Sequence, residues 1–198
     1  MTSEIAVGTA RSAALPREFY ERSALEVAPD LLGKVLRFCE FSLRITETEA
    51  YLETDEASHS FNGPTTRNRP MFGAAGHCYV YFVYGMHWCA NVVTGSVGDG
   101  QAVLLRGATP LTGLEAMRAN RPKARTNAEL TNGPGKLTAA LGIDGTDNGR
   151  DFCSDPEFFF VADGFRPSAI RRTRRIGIRR NVDVNWRFVL SGSNSADK

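Results

Sequence analysis

The chain has 198 residues, 42% apolar and 23% charged, the balance of an ordinary globular domain able to bury one full core. No run of about 18 apolar residues occurs, so no membrane-spanning helix is expected, and Met1 to Pro16 lacks the apolar stretch of a secretory signal. Net charge is only +2, but residues 1–60 carry 6 basic against 11 acidic side chains while residues 61–198 carry 18 against 11. The basic excess peaks at Arg171, Arg172, Arg174, Arg175, Arg179 and Arg180. Such a cluster suits a polyanion such as nucleic acid, or a solvated strand edge. Cys39, Cys78, Cys89 and Cys153 form no C-x-x-C pair, so reduced thiols in a cytoplasmic protein are expected. Together with the three histidines they match no familiar metal spacing, so no metal is expected, and the zinc-deaminase signature is absent.

In chain order, residues 1–16 read as a loose tail. Glu26 to Leu32 reads as a short helix with Pro29 near its start and Gly33 as its stop. Lys34 to Glu40 and Leu43 to Tyr51 read as strands, and Thr54 to Gly76 as a long polar loop of the kind that carries function. His77 to Val93 is dominated by aromatic and β-branched residues and reads as strand, bend, strand, with Gly85 at the tip. A turn at Ser96 to Gly100 precedes a strand from Ala102 to Ala108, closed by Pro110. Thr112-Gly113-Leu114-Glu115 reads as a capping box opening a helix to about Asn120. Asn132 to Lys136 leads into a helix ending near Gly142. Phe158–Ala162, Ala169–Ile178 and Val184–Leu190 read as closing strands, followed by a second tail over 191–198. Grouped strands with few helices predict a single α+β domain over 17–190, with a mostly antiparallel sheet and a few flanking helices.

The chemistry concentrates in Leu43 to Tyr51. Leu43, Ile45, Glu47, Glu49 and Tyr51 alternate with Arg44, Thr46 and Thr48, so a regular strand puts both carboxylates on the face that Leu43 and Ile45 bury. A buried carboxylate is costly unless paired or protonated, which marks a site of perturbed acidity. The plain alternative is a strand end that has reached solvent. Tyr84-Gly85-Met86 sits at a bend where a large side chain projects and could stack on or wedge between bases. Gly133-Pro134-Gly135-Lys136 lacks the residues of a nucleotide-hydrolysis loop, but a Gly-rich helix start with a lysine can hold a backbone phosphate. Arg106 closes an otherwise apolar strand.

Seven motifs in order resemble the alkyladenine (3-methyladenine) DNA glycosylases of base excision repair. They are Ile45–Tyr51 (ITETEAY), Glu56–Ser60 (EASHS), Thr66–Phe72 (TRNRPMF), Tyr79–Asn91 (YVYFVYGMHWCAN), Ala102–Arg106 (AVLLR), Gly133–Leu137 (GPGKL) and Arg175–Ile178 (RIGI). The resemblance covers roughly residues 17–190. It implies a monomeric, monofunctional enzyme without metal or organic cofactor, acting on double-stranded DNA that contains damaged purines. Such an enzyme works in the cytoplasm, at the nucleoid in a bacterium. By motif position, Glu49 is similar to the family's general base. Tyr51, His59 and Tyr81 match residues enclosing the flipped base, and Tyr84 matches the intercalating wedge. Asn91 matches the residue disfavouring a purine 2-amino group, and Arg106 one that helps hold the extruded nucleotide. Thr65, Arg67, Met86, Lys136 and Ile176 fall in motifs that touch DNA or line the pocket. Two rivals stay open on the residues alone. One is an O-glycoside hydrolase using Glu47 and Glu49 as its acid/base pair; the other is a non-catalytic RNA-binding module using the basic surface.

Overall fold

The computed structural model describes residues 13–193. The two longest strands, β2 (Phe41–Tyr51) and β5 (Gln101–Thr112), pair along their length and form the spine of a curled sheet. β4 (His87–Thr94) and then β3 (Cys78–Val83) extend it beyond β5. On the other side, β1 (Val35–Phe38) and then β6 (Phe158–Val161) flank the first half of β2. β8 (Arg187–Leu190) and then β7 (Ile170–Thr173) flank its second half. Every strand pairing among the described residues is antiparallel, so the expected α+β fold with an antiparallel sheet is the one found.

One sheet face carries the core. Leu36, Leu43, Ile45, Ala50, Val92, Val103 and Leu105 pack there with Leu31 of α2 (Ala24–Leu31), which follows the single-turn α1 (Arg17–Tyr20), and with Leu137 of α5 (Pro134–Leu141). Each of these Leu, Ile and Val side chains, fully buried, stabilises the fold by about 1.5–3 kcal/mol before entropy is counted. The other face is where the carboxylates lie, and this corrects the reading of β2 as a regular strand. Ile45 opposes Ala108 and Thr48 opposes Leu105, with an irregularity at Glu47 opposite Gly107. Two residues therefore separate successive core-facing pairs on each strand, where regular alternation would leave one. The side-chain parity inverts. Ile45 points into the core before the irregularity; Thr48, bonded to the Ala28 carbonyl at 2.8 Å, and Ala50 point there after it. Glu49 and Tyr51 consequently face away from Leu43 and Ile45.

Several local expectations also shift. The helix expected from Glu26 begins at Ala24, capped by Ser23 and Glu26 in a reciprocal box, so Pro29 lies inside it. β5 runs through Pro110, beyond the reach of β4, where a missing N–H faces no partner strand. Thr112 belongs to that strand and bonds Ser42. The following helix α3 (Leu114–Asn120) is led by Gly113 at φ +81, without a side-chain cap. α4 (Asn127–Thr131), capped by Thr126 over Glu129, was not anticipated. Only 170–173 of the strand expected over 169–178 is strand. Within the stretch expected as a tail, Ala14 bridges Val161, and buried Leu15 donates its N–H to the Phe160 carbonyl. Residues 1–12 and 194–198 lie outside the described residues.

Candidate active site

β3 and β4 form a hairpin whose tip, Tyr84-Gly85, has φ +53 and +66. Positive φ at both central positions is the requirement of the hairpin turn whose twist matches the strands, and the Met86 N–H closes it onto the Val83 carbonyl. Tyr84 is 78% exposed and Met86 67%, so the hairpin presents them to solvent as expected of a projecting bend. Below the tip, alternation turns Tyr79 and Tyr81 to the face shared with Glu49, while Val80 enters the core.

That face lines a cavity of about 510 Å³. Tyr51 from β2, His59 from the long loop, Tyr81 and Tyr84 from the hairpin, Asn91 from β4, Arg106 from β5 and Ile176 from the segment after β7 all contribute to its wall. The cavity gathers seven of the twelve residues singled out by motif position. His59 and Tyr81 meet edge to face with centroids 4.5 Å apart, and His59 Nδ1 lies 3.1 Å from the Tyr79 hydroxyl. Burial holds the His59 imidazole below its usual range, with Arg67 adding to the effect, so the ring is neutral at neutral pH. Asn91 donates from Nδ2 to the Tyr79 carbonyl at 2.9 Å, which fixes its amide in the wall.

Glu49 itself is fully buried behind this wall, and three groups that reach the cavity hold its carboxyl. The Tyr51 hydroxyl donates to Oε2 at 2.8 Å, the Ile176 N–H donates to Oε1 at 2.8 Å, and Arg106 Nε stands 3.3 Å from Oε1. Burial pushes the Glu49 carboxyl above its usual range, and Glu47 pushes the same way; Arg106, Ile176 and Tyr51 oppose without cancelling it. A carboxylate offers about four lone-pair sites, so this arrangement leaves capacity for the proton of a water. The carboxyl is thus fixed in orientation, and burial makes it a weaker acid than a solvated one.

Two elements of this arrangement were not anticipated. Arg175, assigned to the phosphate-binding cluster by charge, is 6% exposed and forms a bidentate buried ion pair with Asp55 through Nη1 and Nη2. Asn181 also donates to Asp55 at 2.9 Å, and Arg175 lies over the Tyr51 ring at 4.6 Å. This clamp ties the segment carrying Ile176 to β2 and so delivers the N–H that Glu49 accepts. The second is Tyr79, whose shared parity with Tyr81 was the available signal. Of the residues that do not line the cavity, Thr65 braces its loop through Asn68, and Arg67 donates to the Phe82 carbonyl and approaches the Tyr81 ring. Lys136 bonds Asn132 at 2.7 Å on the surface.

A family model described as methylpurine-DNA glycosylase matches residues 18–194. The chain belongs to the methylpurine-DNA glycosylase family. Relatives whose names place them among 3-methyladenine DNA glycosylases agree with this. One from Burkholderia lata is 47% identical over 185 residues, covering 91% of this chain and 89% of the relative. One from Methanocella arvoryzae is 48% identical, covering 93% and 96%, and one from Agrobacterium fabrum is 47% identical, covering 90% of each. The enzyme is therefore a DNA glycosylase, a hydrolase of the N-glycosidic bond, and DNA is its substrate. No helix among the described residues is long and apolar enough to cross a membrane. The rival pairing of Glu47 with Glu49 as acid and base loses its footing: Glu47 Oε1 accepts from both Arg106 and Arg187, and Glu47 does not line the cavity.

Proposed function

We propose that the glycosylase draws an alkylated or deaminated purine nucleotide out of duplex DNA into the aromatic cavity. Glu49 then deprotonates the water that hydrolyses its N-glycosidic bond. The substrates are purines of the 3-methyladenine, 7-methylguanine and hypoxanthine type, and the reaction opens base excision repair. The observation that carries this reading is the buried Glu49 carboxyl, raised in basicity and oriented by groups that themselves wall the cavity.

A base inside the stack is out of reach of any side chain, so extrusion must be offset by new contacts. Tyr84 at the hairpin tip fills the gap in the stack, with Met86 beside it, while Tyr51, His59 and Tyr81 enclose the extruded base. Thr65, Arg67 and Lys136 contact the DNA backbone around the cavity. As the bond from C1′ to the base lengthens, positive charge builds on the sugar. The Glu49 carboxylate stabilises that charge while it takes a proton from the attacking water. Arg106 holds the extruded nucleotide and keeps Glu49 ionised. The unit that does this is one domain over 17–190, acting as a monomer on DNA in the cytoplasm.

Glu49→Gln keeps the size and most hydrogen bonds of the side chain but removes the base. Excision of hypoxanthine from duplex DNA under single-turnover conditions is expected to vanish, while binding to the same duplex stays near the parent value. Near-normal excision by this variant would overturn the assignment.

A further inference from the structure

Glu47 lies two residues before Glu49, is buried, and has no step in the hydrolysis. Its Oε1 accepts from two guanidiniums, Arg106 Nε at 2.8 Å from β5 and Arg187 Nε at 2.7 Å from β8. Arg106 Nε is thus shared between the two carboxylates, with its shorter contact to Glu47 and its longer one, 3.3 Å, to Glu49. Glu47 and Glu49 share a face through the alternation of β2, and Arg106 stands on the neighbouring stretch of β5. We propose that Glu47 is a positioning residue for the base: it holds Arg106 back from Glu49, and Arg187 sets how strongly it does so. The inference rests on Glu49 being the base.

The physical need is clear from the charges. An opposite charge in close contact lowers a carboxyl by about 1–3 pH units, and a carboxylate so stabilised is a poorer acceptor for a water proton. An arginine free to close on Glu49 would therefore weaken the base it must also keep ionised. Glu47 competes for the same guanidinium and draws it to the far side. Arg187 shares out the charge of Glu47, so removing it strengthens the pull of Glu47 on Arg106. The other groups facing Glu49 do not supply this control. Tyr51 on β2, Tyr81 on β3 and Cys89 on β4 are pushed up by burial and remain neutral. Arg175 is committed to Asp55, and Ile176 offers only its N–H. His59, Arg179 and Arg180 face the cavity as well, and they are the same in every variant below.

The test is the pH profile of single-turnover excision of 7-methylguanine from duplex DNA. That base already carries its positive charge, so the acid limb reports the general base rather than protonation of the leaving group. With Glu47→Gln, the midpoint of the acid limb is expected to move down by about 1 unit or more, with a lower plateau. Arg187→Met is expected to move it up, and Glu47→Asp, which keeps the charge, to leave it near the parent value. If Glu47→Gln does not fold, the upward shift in Arg187→Met and the unchanged midpoint in Glu47→Asp carry the decision. Slower excision with unmoved midpoints, or shifts in the same direction, would show that Glu47 only braces the fold. Inactive Glu49→Gln alongside unmoved midpoints overturns this inference alone, whereas active Glu49→Gln overturns the reading on which it rests.

Discussion

Glu49 is costly to the fold that holds it. Its carboxyl sits above the value it has in the unfolded chain, so between those two values the native state binds more protons. Stability therefore falls as pH rises through that window. Glu49→Gln removes the loss, so the variant is expected to melt above the parent at neutral pH, with the difference closing in acid below the usual carboxylate range. Thermal melts across that range measure this, and no gain at neutral pH would mean that Arg106 and the two hydrogen bonds outweigh burial. Asn91 carries the second expectation at this scale. Its bond to the Tyr79 carbonyl fixes its volume in the cavity wall, and in the proposed function a guanine 2-amino group would meet it there. Asn91→Ser should raise excision of mismatched guanine relative to hypoxanthine by on the order of 10-fold. An unchanged ratio of the two single-turnover rates would remove Asn91 from the discrimination.

At the scale of elements, the β3–β4 hairpin puts its tip residue where no core contact would hold it. Tyr84→Ala should therefore spare folding. Unstacking costs a few kcal/mol, so excision from a paired lesion should fall on the order of 100-fold while single-stranded substrate is little affected. Equal losses on both would contradict a wedge. The hairpin was legible in the sequence because a run of aromatic and β-branched residues broken by one glycine admits few other conformations. The face on which Glu49 stands was not. Alternation along β2 is a property of one strand, whereas the inversion at Glu47 depends on what β5 does opposite it, and a local pattern contains no record of its partner. The clamp of Arg175 on Asp55 escaped for a similar reason, since the two are 120 residues apart and a run of arginines does not say which of them turns inward.

Over the whole molecule, that inward turn divides the basic cluster into two kinds of arginine. Arg179 and Arg180 are exposed at the cavity wall, while Arg174 pairs at the surface with Asp183 and Arg175 is buried. Affinity for undamaged duplex should fall steeply with salt, because each phosphate contact contributes about −0.9 to the log–log slope. Arg179→Gln or Arg180→Gln should flatten that slope by about one such contact. Arg175→Gln should leave it unchanged and instead destabilise the fold by about 3–5 kcal/mol, as breaking a buried pair does. Titrations at several salt concentrations, with melts alongside, separate these outcomes. If Arg175→Gln alone flattened the slope, the division would be wrong.

The paired irregularity in β2 and β5 has a consequence for how this chain can vary in length. Two residues sit between core-facing positions on each strand, Thr46 and Glu47 on one and Arg106 and Gly107 on the other, and everything after them is read in the opposite frame. Loss of Thr46 or Glu47 would restore the original frame downstream on β2. Glu49 would then be carried in among Val103 and Leu105, and Ala50 would be turned out to the cavity. A single substitution in this stretch removes one group; a one-residue deletion exchanges the inside of the protein for its active site.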